Sequence, residues 1–434
     1  MERASGIERR IMSPVNQETA DVVVIGAGVV GLMAGRALRA EGRQVLVLDK
    51  SGPASGASAG NAGILAFPEI LPLASPGILR QAPRWLADPL GPLAIRPAYA
   101  LRIAPWLLRF AAASRPSRHA EILAAQATIM RLAEAEMQRV LQEPALAPHA
   151  MTTGTLDLYD GASAFDAARG DWVAKEKAGF AFKVVGGDEI ESLQPGLHAR
   201  FRQKAVYTED GRQIIDPRLF TLALAQRLEA EGGALRRDEV LKVEPAEAGA
   251  VLTLPGNRRL SAKTVVVAAG AWSKRLTGWL GDAVPLETER GYNTTLPAGA
   301  FDLRRQLYFN GHGFVATPIG GGVRIGGAVE LGGLNLPPNW KRSDAMLAKA
   351  AQFLPGLRTE GGTRWMGFRP SMPDTLAVIG YSAAGRHIIH AFGHGHLGLT
   401  QSAATARLVA ELAAGRAPSI DLAPFSPRRF KQTR

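Results

Sequence analysis

Two unbroken apolar runs, Val22 to Ile25 and Val45 to Leu48, flank a stretch of helical composition from Leu32 to Ala40. Runs of branched apolar residues bounded by glycine or an acid predict parallel strands buried on both faces. Gly42 closes the intervening helix. Near the other end, 386–392 (RHIIHAF) reads as another buried strand, 393–398 (GHGHLG) as a tight connection, and 399–414 as a helix ended by Gly415 with Pro418 beyond. Between these ends, 100–110 and 121–142 carry helical patterns, whereas 154–160, 306–310, 313–319 and 322–331 read as strands separated by glycine-rich turns. Two helices followed by a run of strands predict an α+β portion attached to an α/β portion. There are no internal repeats and no low-complexity tract.

The first connection adds chemistry. Gly26-x-Gly28-x-x-Gly31 leaves the first strand directly, and Asp49 ends the second. Between a strand and a helix this spacing predicts a dinucleotide site: Gly26 for the tight turn, Gly28 for backbone approach to a pyrophosphate, Gly31 for helix–strand packing. The helix N-terminus offers N–H groups and a positive dipole end to the phosphates. Asp49 is placed to accept from adenosine ribose hydroxyls, which argues against a 2′-phosphate. After it comes SGPASGASAGNAG (51–63), small, polar and without strand character. A loop containing Ser55, Ala57, Ser58, Asn61, Ala62 and Gly63 suits backbone wrapping along an extended FAD better than the further βα units expected of an NAD domain.

Composition narrows the alternatives. The 434 residues suffice for two interlocked domains, and the absence of cysteine excludes disulfides, thiolate metal sites and cysteinyl-linked cofactors. The net charge of +12 is carried mostly by scattered arginines, without the dense basic run and interleaved aromatics of a nucleic-acid surface, so no nucleic-acid partner is expected. Residues 1–20 lack the apolar segment of a signal peptide; Arg9-Arg10 has no hydrophobic stretch behind it, and the segment reads as an extension, with Met12 as an alternative start. The most apolar region, 70–113, is broken by prolines and arginines and cannot span a bilayer as one regular helix. It can cover a substrate domain or dock on a membrane surface.

Five ordered motifs, 22–31 (VVVIGAGVVG), 55–63 (SGASAGNAG), 264–273 (TVVVAAGAWS), 367–380 (GFRPSMPDTLAVIG) and 390–415, together resemble the FAD-dependent D-amino-acid oxidase and dehydrogenase superfamily over Asp21 to about Phe425. The proline-rich segment 71–97 is most similar to that of bacterial D-amino-acid dehydrogenases, including the hydroxy-D-proline type. The resemblance implies a Rossmann-like FAD domain with a doubly wound, mostly parallel sheet, assembled from 20–95, 198–280 and 364–425. A discontinuous α+β substrate domain would comprise 96–197 and 281–363, with a flexible extension at 1–19 and a tail at 426–434. It implies non-covalent FAD, transfer of the α-hydrogen as hydride to flavin N5, and electrons passed to a quinone or other carrier. It also implies a cytoplasmic location, with peripheral contact on the inner face of the cytoplasmic membrane. Two rival readings are a glycine- or sarcosine-type oxidase releasing hydrogen peroxide, and a non-catalytic dinucleotide-binding or electron-transfer protein.

Flavin oxidation of an amino acid needs mainly a carboxylate anchor, because the cofactor performs the hard step. Arg369 in the GFRP motif is the principal candidate, since a guanidinium fork grips a carboxylate through two parallel hydrogen bonds. A second anchor is a tyrosine in relatives; here Phe314 falls in the aligned strand, with Tyr292 and Tyr308 as substitutes. The resemblance places Val30, Lys50, Val240, Ala269, Gly270, Trp272, Gly367, Gly395, Leu397, Gly398, Leu399 and Thr400 along the cofactor, with the last helix aimed at the flavin's pyrimidine edge. His394 and His396 raise a metal reading, but no third ligand accompanies them, so no metal is expected. His394 is the histidine expected to face substrate, and His396 the one expected to make structural hydrogen bonds beside the cofactor.

Overall fold

The computed structural model describes residues 17–77, 91 and 93–430. Most of the extension, the heart of the proline-rich segment (78–90 and 92) and the last four residues of the tail lie outside the described residues.

Both early apolar runs become central strands. Gln17–Ile25, Val45–Asp49, Ala234–Arg237, Arg259–Val267 and Gly385–Phe392 lie parallel in one sheet, with Gln17–Ile25 between Val45–Asp49 and Arg259–Val267. In the two early runs both faces are buried: Val22, Val24, Val45 and Val47 in the cluster shared with helices Val29–Ala40 and Gly398–Ala413, and Val23, Ile25 and Leu48 in a second cluster with Val243, Leu252 and Leu276. The long strand Arg259–Val267 changes partner along its length. Its first half pairs antiparallel with Gly249–Thr253, and its end pairs parallel with Gly385–Phe392. This is the predicted Rossmann-like sheet.

A second, mostly antiparallel sheet runs Thr363–Ser371, Glu287–Leu296, Gly322–Leu331, Phe314–Ile319, Gln306–Phe309, Thr155–Leu158, Ala205–Thr208 and Lys183–Val185, with Leu93–Ile95 alongside Gly322–Leu331. Helices Ala100–Ala113 and Pro116–Val140 replace the two helical patterns as read. Three expected boundaries move. Leu93–Ile95, Ala205–Thr208 and Thr363–Ser371 fall inside stretches assigned to the FAD domain, yet hydrogen-bond into the second sheet. The last of these carries Arg369 across, because its partner strand Glu287–Leu296 belongs to that sheet.

Where the parallel sheet ends, Asp282, Ser382 and His390 are all buried and mutually bonded: His390 Nε2 lies 2.8 Å from Asp282 Oδ2, and Ser382 Oγ donates to the same oxygen. Burial would raise the Asp282 carboxyl, but its bonds to His390, Ser382 and the Ala383 N–H hold it below the usual range. A depressed folded-state pKa adds stability above the unfolded value and loses it as pH falls through the folded one. Asp282→Asn should therefore cost about 2–4 kcal/mol at pH 7, since it strands a buried histidine, and the deficit should shrink toward pH 3. Denaturant melts of both proteins at the two pH values measure it.

Candidate active site

One cavity of about 1010 Å³ opens between the C-terminal ends of the parallel strands and the face of the second sheet. That is the upper end of the ~300–1,000 Å³ usual for ligand pockets, as an elongated dinucleotide requires. Ligands of open α/β sheets bind at such carboxyl ends.

Gly26 has φ +112, and a Cβ there would overlap the Ala268 carbonyl, so the turn out of the first strand admits only glycine. Gly28 lines the cavity, and the Val29 N–H at the helix start donates to Ser58 Oγ at 2.9 Å. Asp49 lines it too, but three backbone N–H groups already use its carboxylate: Ala27 (2.9 Å), Ser51 (2.8 Å) and Gly52 (3.0 Å). About one of its four acceptor positions is left for a ribose hydroxyl, so the residue also fastens the loop after its own strand. Val30, Lys50, Ala57, Asn61, Ala62, Val240, Ala269, Gly270 and Trp272 border the same space, with the Lys50 ammonium 4.2 Å from the Trp272 ring centre.

Three expected cofactor residues do not border the cavity. Gly31 packs against the Gly26 carbonyl, Gly63 takes φ +75 against the Ile214 carbonyl, and the Thr400 hydroxyl accepts from the Ala66 N–H at 3.1 Å. They shape the loops that do border it. Asn61 likewise turns its side chain inward: Oδ1 accepts from the Gly63 N–H at 2.9 Å, leaving its backbone to face the ligand.

Two residues unread in the sequence hold this loop from the second sheet. Asn293 Nδ2 donates to the Gly60 carbonyl at 2.6 Å, and Arg324 donates to the Asn61 carbonyl and, at 2.8 Å, to Thr295 Oγ1. Neither belongs to a motif. The available signal was the period-two alternation of 287–296, which puts Glu289, Gly291 and Asn293 on one face.

That face is the substrate end. Across it stand Trp365, Gly367 and Arg369, directly paired with Asn293, Gly291 and Glu289, and all six border the cavity. The two glycines clear the floor: a Cβ on Gly291 would meet the Arg369 guanidinium, and one on Gly367 the Trp365 ring. A bulge opposite Gly291 leaves Ala328 at φ +56, and its carbonyl accepts from Arg369 Nη1 at 2.9 Å. Burial lowers the guanidinium pKa while the Glu289 carboxylate opposes that; burial raises Glu289 while Arg369 opposes it. Held by a carbonyl and charged at every accessible pH, Arg369 keeps donors for an incoming carboxylate.

The tyrosine candidates separate by strand parity. Tyr292 lies on the opposite parity to Gly291 and Asn293. It still borders the cavity, but its hydroxyl donates to Glu330 at 2.9 Å and accepts from the Asn339 N–H at 3.0 Å, so that hydroxyl is committed elsewhere. Phe314 borders the cavity too, and its ring stacks on Phe309 and Phe353 of the second sheet's core, offering an apolar wall and no hydroxyl. Tyr308 pairs with Val315, and both line the cavity; burial, with Glu69 and Asp157, holds the Tyr308 hydroxyl protonated.

Both histidines border the cavity, and their surroundings differ. His394 is buried and bonded through Nε2 to Thr405 Oγ1 at 2.9 Å, and burial pushes it down to about 4, so it is neutral and structural. His396 is exposed and lines the cavity, where its enclosure by the surrounding protein and the Arg369 charge depress it and Glu69 opposes them. His394→Ala should cost about 1–3 kcal/mol of stability by orphaning Thr405. His396→Ala should leave stability within about 0.5 kcal/mol and change the kinetics instead. Thermal melts beside steady-state assays read both. Among the described residues no three His, Asp or Glu side chains are grouped to hold a metal ion.

A two-layer dinucleotide-binding fold with an arginine, Arg369, facing the cavity beside the glycine cradle is thus what the geometry defines. A family model, FAD dependent oxidoreductase (DAO), matches residues 21–412, and the chain belongs to that family. A D-amino-acid oxidase of Bradyrhizobium diazoefficiens is 38% identical over 94% of this chain and 98% of its own length. A D-amino acid dehydrogenase of Rhizobium johnstonii is 30% identical over 94% and 99%. Among solved structures, glycine oxidase from Geobacillus kaustophilus superposes with TM-score 0.72 at 23% identity, covering 96% of this chain and all of that one. L-proline dehydrogenase from P. horikoshii gives TM-score 0.72 at 19% identity, covering 95% and 98%. At those identities the two structures speak to the fold alone. The glycine cradle and the cavity fit FAD, the family's cofactor.

Proposed function

We propose that this chain oxidises D-amino acids, or cyclic D-imino acids of the proline type, at the Arg369 end of the cavity. The observation that carries the reading is the Arg369 guanidinium, presented over a floor cleared by Gly291 and Gly367 beside the flavin loop. Bound FAD supplies the two-electron acceptor for the α-hydrogen. Arg369 fixes the carboxylate, the glycine floor lets the α-carbon approach, and the N-terminus of helix Gly398–Ala413 directs its positive end toward charge developing in the cavity. The imine of a primary D-amino acid then hydrolyses in water to an oxo acid and ammonia, whereas the cyclic imine of a proline-type substrate keeps its nitrogen and opens with water to an amino oxo acid. The names of both relatives support the substrate class.

The electrons pass on to a quinone or similar carrier, with the enzyme in the cytoplasm and docked peripherally on the membrane. Helix Ala100–Ala113 supports this: Trp106, Leu107 and Phe110 line the cavity, while Leu101, Leu108, Arg102 and Arg109 are exposed. No helix among the described residues is long and apolar enough to cross a membrane. A second reading, with oxygen as acceptor, is favoured by the oxidase name of the 38% identical relative. An anaerobic absorption spectrum tests the substrate class. D-amino acids or D-proline derivatives should bleach the flavin band and their L-enantiomers should not; bleaching by the L-series alone overturns the proposal. Admitting air to the bleached protein then separates the acceptors, since rapid reoxidation with stoichiometric peroxide supports the oxidase.

A further inference from the structure

We propose that Glu69 selects D-amino acids with a cationic side chain, of the lysine, ornithine or arginine class. This rests on the reading of the site as a D-amino-acid oxidoreductase and names the substrate it is built for.

Glu69 follows the flavin loop directly. Phe67 and Ile70, both buried, anchor the segment, and the Glu69 N–H donates to the Ala66 carbonyl at 3.0 Å. The residue lines the cavity and is only partly exposed. Among the described residues its carboxylate has neither a hydrogen-bond donor nor an ion-pair partner, unlike the acids in the protein's many arginine–carboxylate pairs. An unpaired carboxylate in a partly desolvated, largely apolar cavity is costly, and a cation arriving with the ligand would offset that cost.

The placement gives such a ligand its shape. Arg369 interacts with Glu289, whereas Glu69 acts on Tyr308 and on His396, which also feels Arg369. Glu69, Tyr308, His396 and Arg369 all border the one cavity, and the strand of Arg369 is separated from that of Tyr308 by Glu287–Leu296, Gly322–Leu331 and Phe314–Ile319, so the anion anchor and the Tyr308 side of the cavity are set apart across the sheet. Beside Tyr308 on the neighbouring strand, buried Asp157 is raised to about 6 by burial, while the Lys175 ammonium and a bond from Asn310 Nδ2 oppose that shift, so its own charge is already countered. A carboxylate at Arg369 and a second, positive group carried several bonds away toward Glu69 describe a D-amino acid with a basic side chain. The role assigned to Glu69 is specificity; the hydride step does not pass through it.

The test compares D-lysine with D-norleucine, which has the same chain without its terminal ammonium, on FAD-loaded wild type and Glu69→Gln. Wild type should favour D-lysine in kcat/KM by about 10-fold or more, and Glu69→Gln should lose about 30- to 100-fold on D-lysine with D-norleucine changed less than about threefold. Equal wild-type values for the two substrates, or equal losses on both in the variant, overturn the selectivity and leave the oxidoreductase reading standing. Failure of every D-amino acid to reduce the wild-type flavin overturns that reading, and this one with it. The wild-type ratio stands even if the variant does not fold.

Discussion

Arg369→Ala should lower kcat/KM for D-amino acids by roughly 10²- to 10³-fold while the purified protein stays yellow, because the loss is of a desolvated, charge-assisted grip on the substrate carboxylate. The guanidinium is placed by its strand partner Glu289, by the Ala328 carbonyl at 2.9 Å and by the space over Gly291. None of these holds the dinucleotide, so binding of the cofactor should survive the change. Both a weaker KM and a lower kcat are expected. The anchor secures the carboxylate on entry and also fixes the α-carbon in the reacting geometry. Arg369→Lys should recover little, since a point charge on a flexible stem cannot reproduce the planar fork. Steady-state kinetics beside the flavin absorbance of each preparation measures all of this. A kcat/KM unchanged in Arg369→Ala would move the anchor elsewhere, with Arg324 the next arginine of the cavity wall.

Why the nucleotide half was readable and the substrate half only partly so follows from how each is encoded. The turn at Gly26, the helix behind it and Asp49 lie within thirty residues of one another, and local backbone geometry dictates their identity. The substrate end is assembled from strands distant in the chain, and there parity decides function. Tyr292 and Asn293 are neighbours in sequence, yet one bonds Glu330 in the core and the other reaches the Gly60 carbonyl at the flavin loop. Without the register between Glu287–Leu296 and Thr363–Ser371, an aromatic residue in that strand could be assigned to either face.

The difference between the two histidines has the same origin. His394 and His396 are two apart and each flanked by glycine, so nothing local distinguishes them. What separates them is Thr405, about two turns into the following helix, which takes His394 Nε2, whereas His396 is exposed in the cavity that both border. Domain boundaries moved for a related reason. Thr363–Ser371 adjoins the C-terminal FAD motifs in sequence but takes its hydrogen bonds from the second sheet. The arginine of that motif thereby joins the second sheet, which is how a residue encoded beside the cofactor region comes to line the cavity opposite Glu289.

Gly28→Val should yield a folded but colourless protein. Its neighbours in the fingerprint would not allow so clean a result, for a Cβ on Gly26 meets the Ala268 backbone and one on Gly31 meets the Gly26 carbonyl, so those changes break the fold itself. Gly28 differs. Its φ of −75 suits any residue, and a Cβ there meets only Ser58 Oγ, at 3.2 Å. The added branches would displace that hydroxyl from the Val29 N–H and fill the approach that a pyrophosphate needs. Apo variant and apo wild type should therefore melt within a few degrees of each other, a difference of about 1 kcal/mol or less. Saturating FAD at about 100 times its Kd should stabilise wild type by about 2.7 kcal/mol and leave the variant unmoved. Thermal melts with and without added FAD decide it. A yellow Gly28→Val preparation would mean that the diphosphate does not cross this turn, whereas a variant already unfolded without FAD would place Gly28 with Gly26 and Gly31 as a packing glycine.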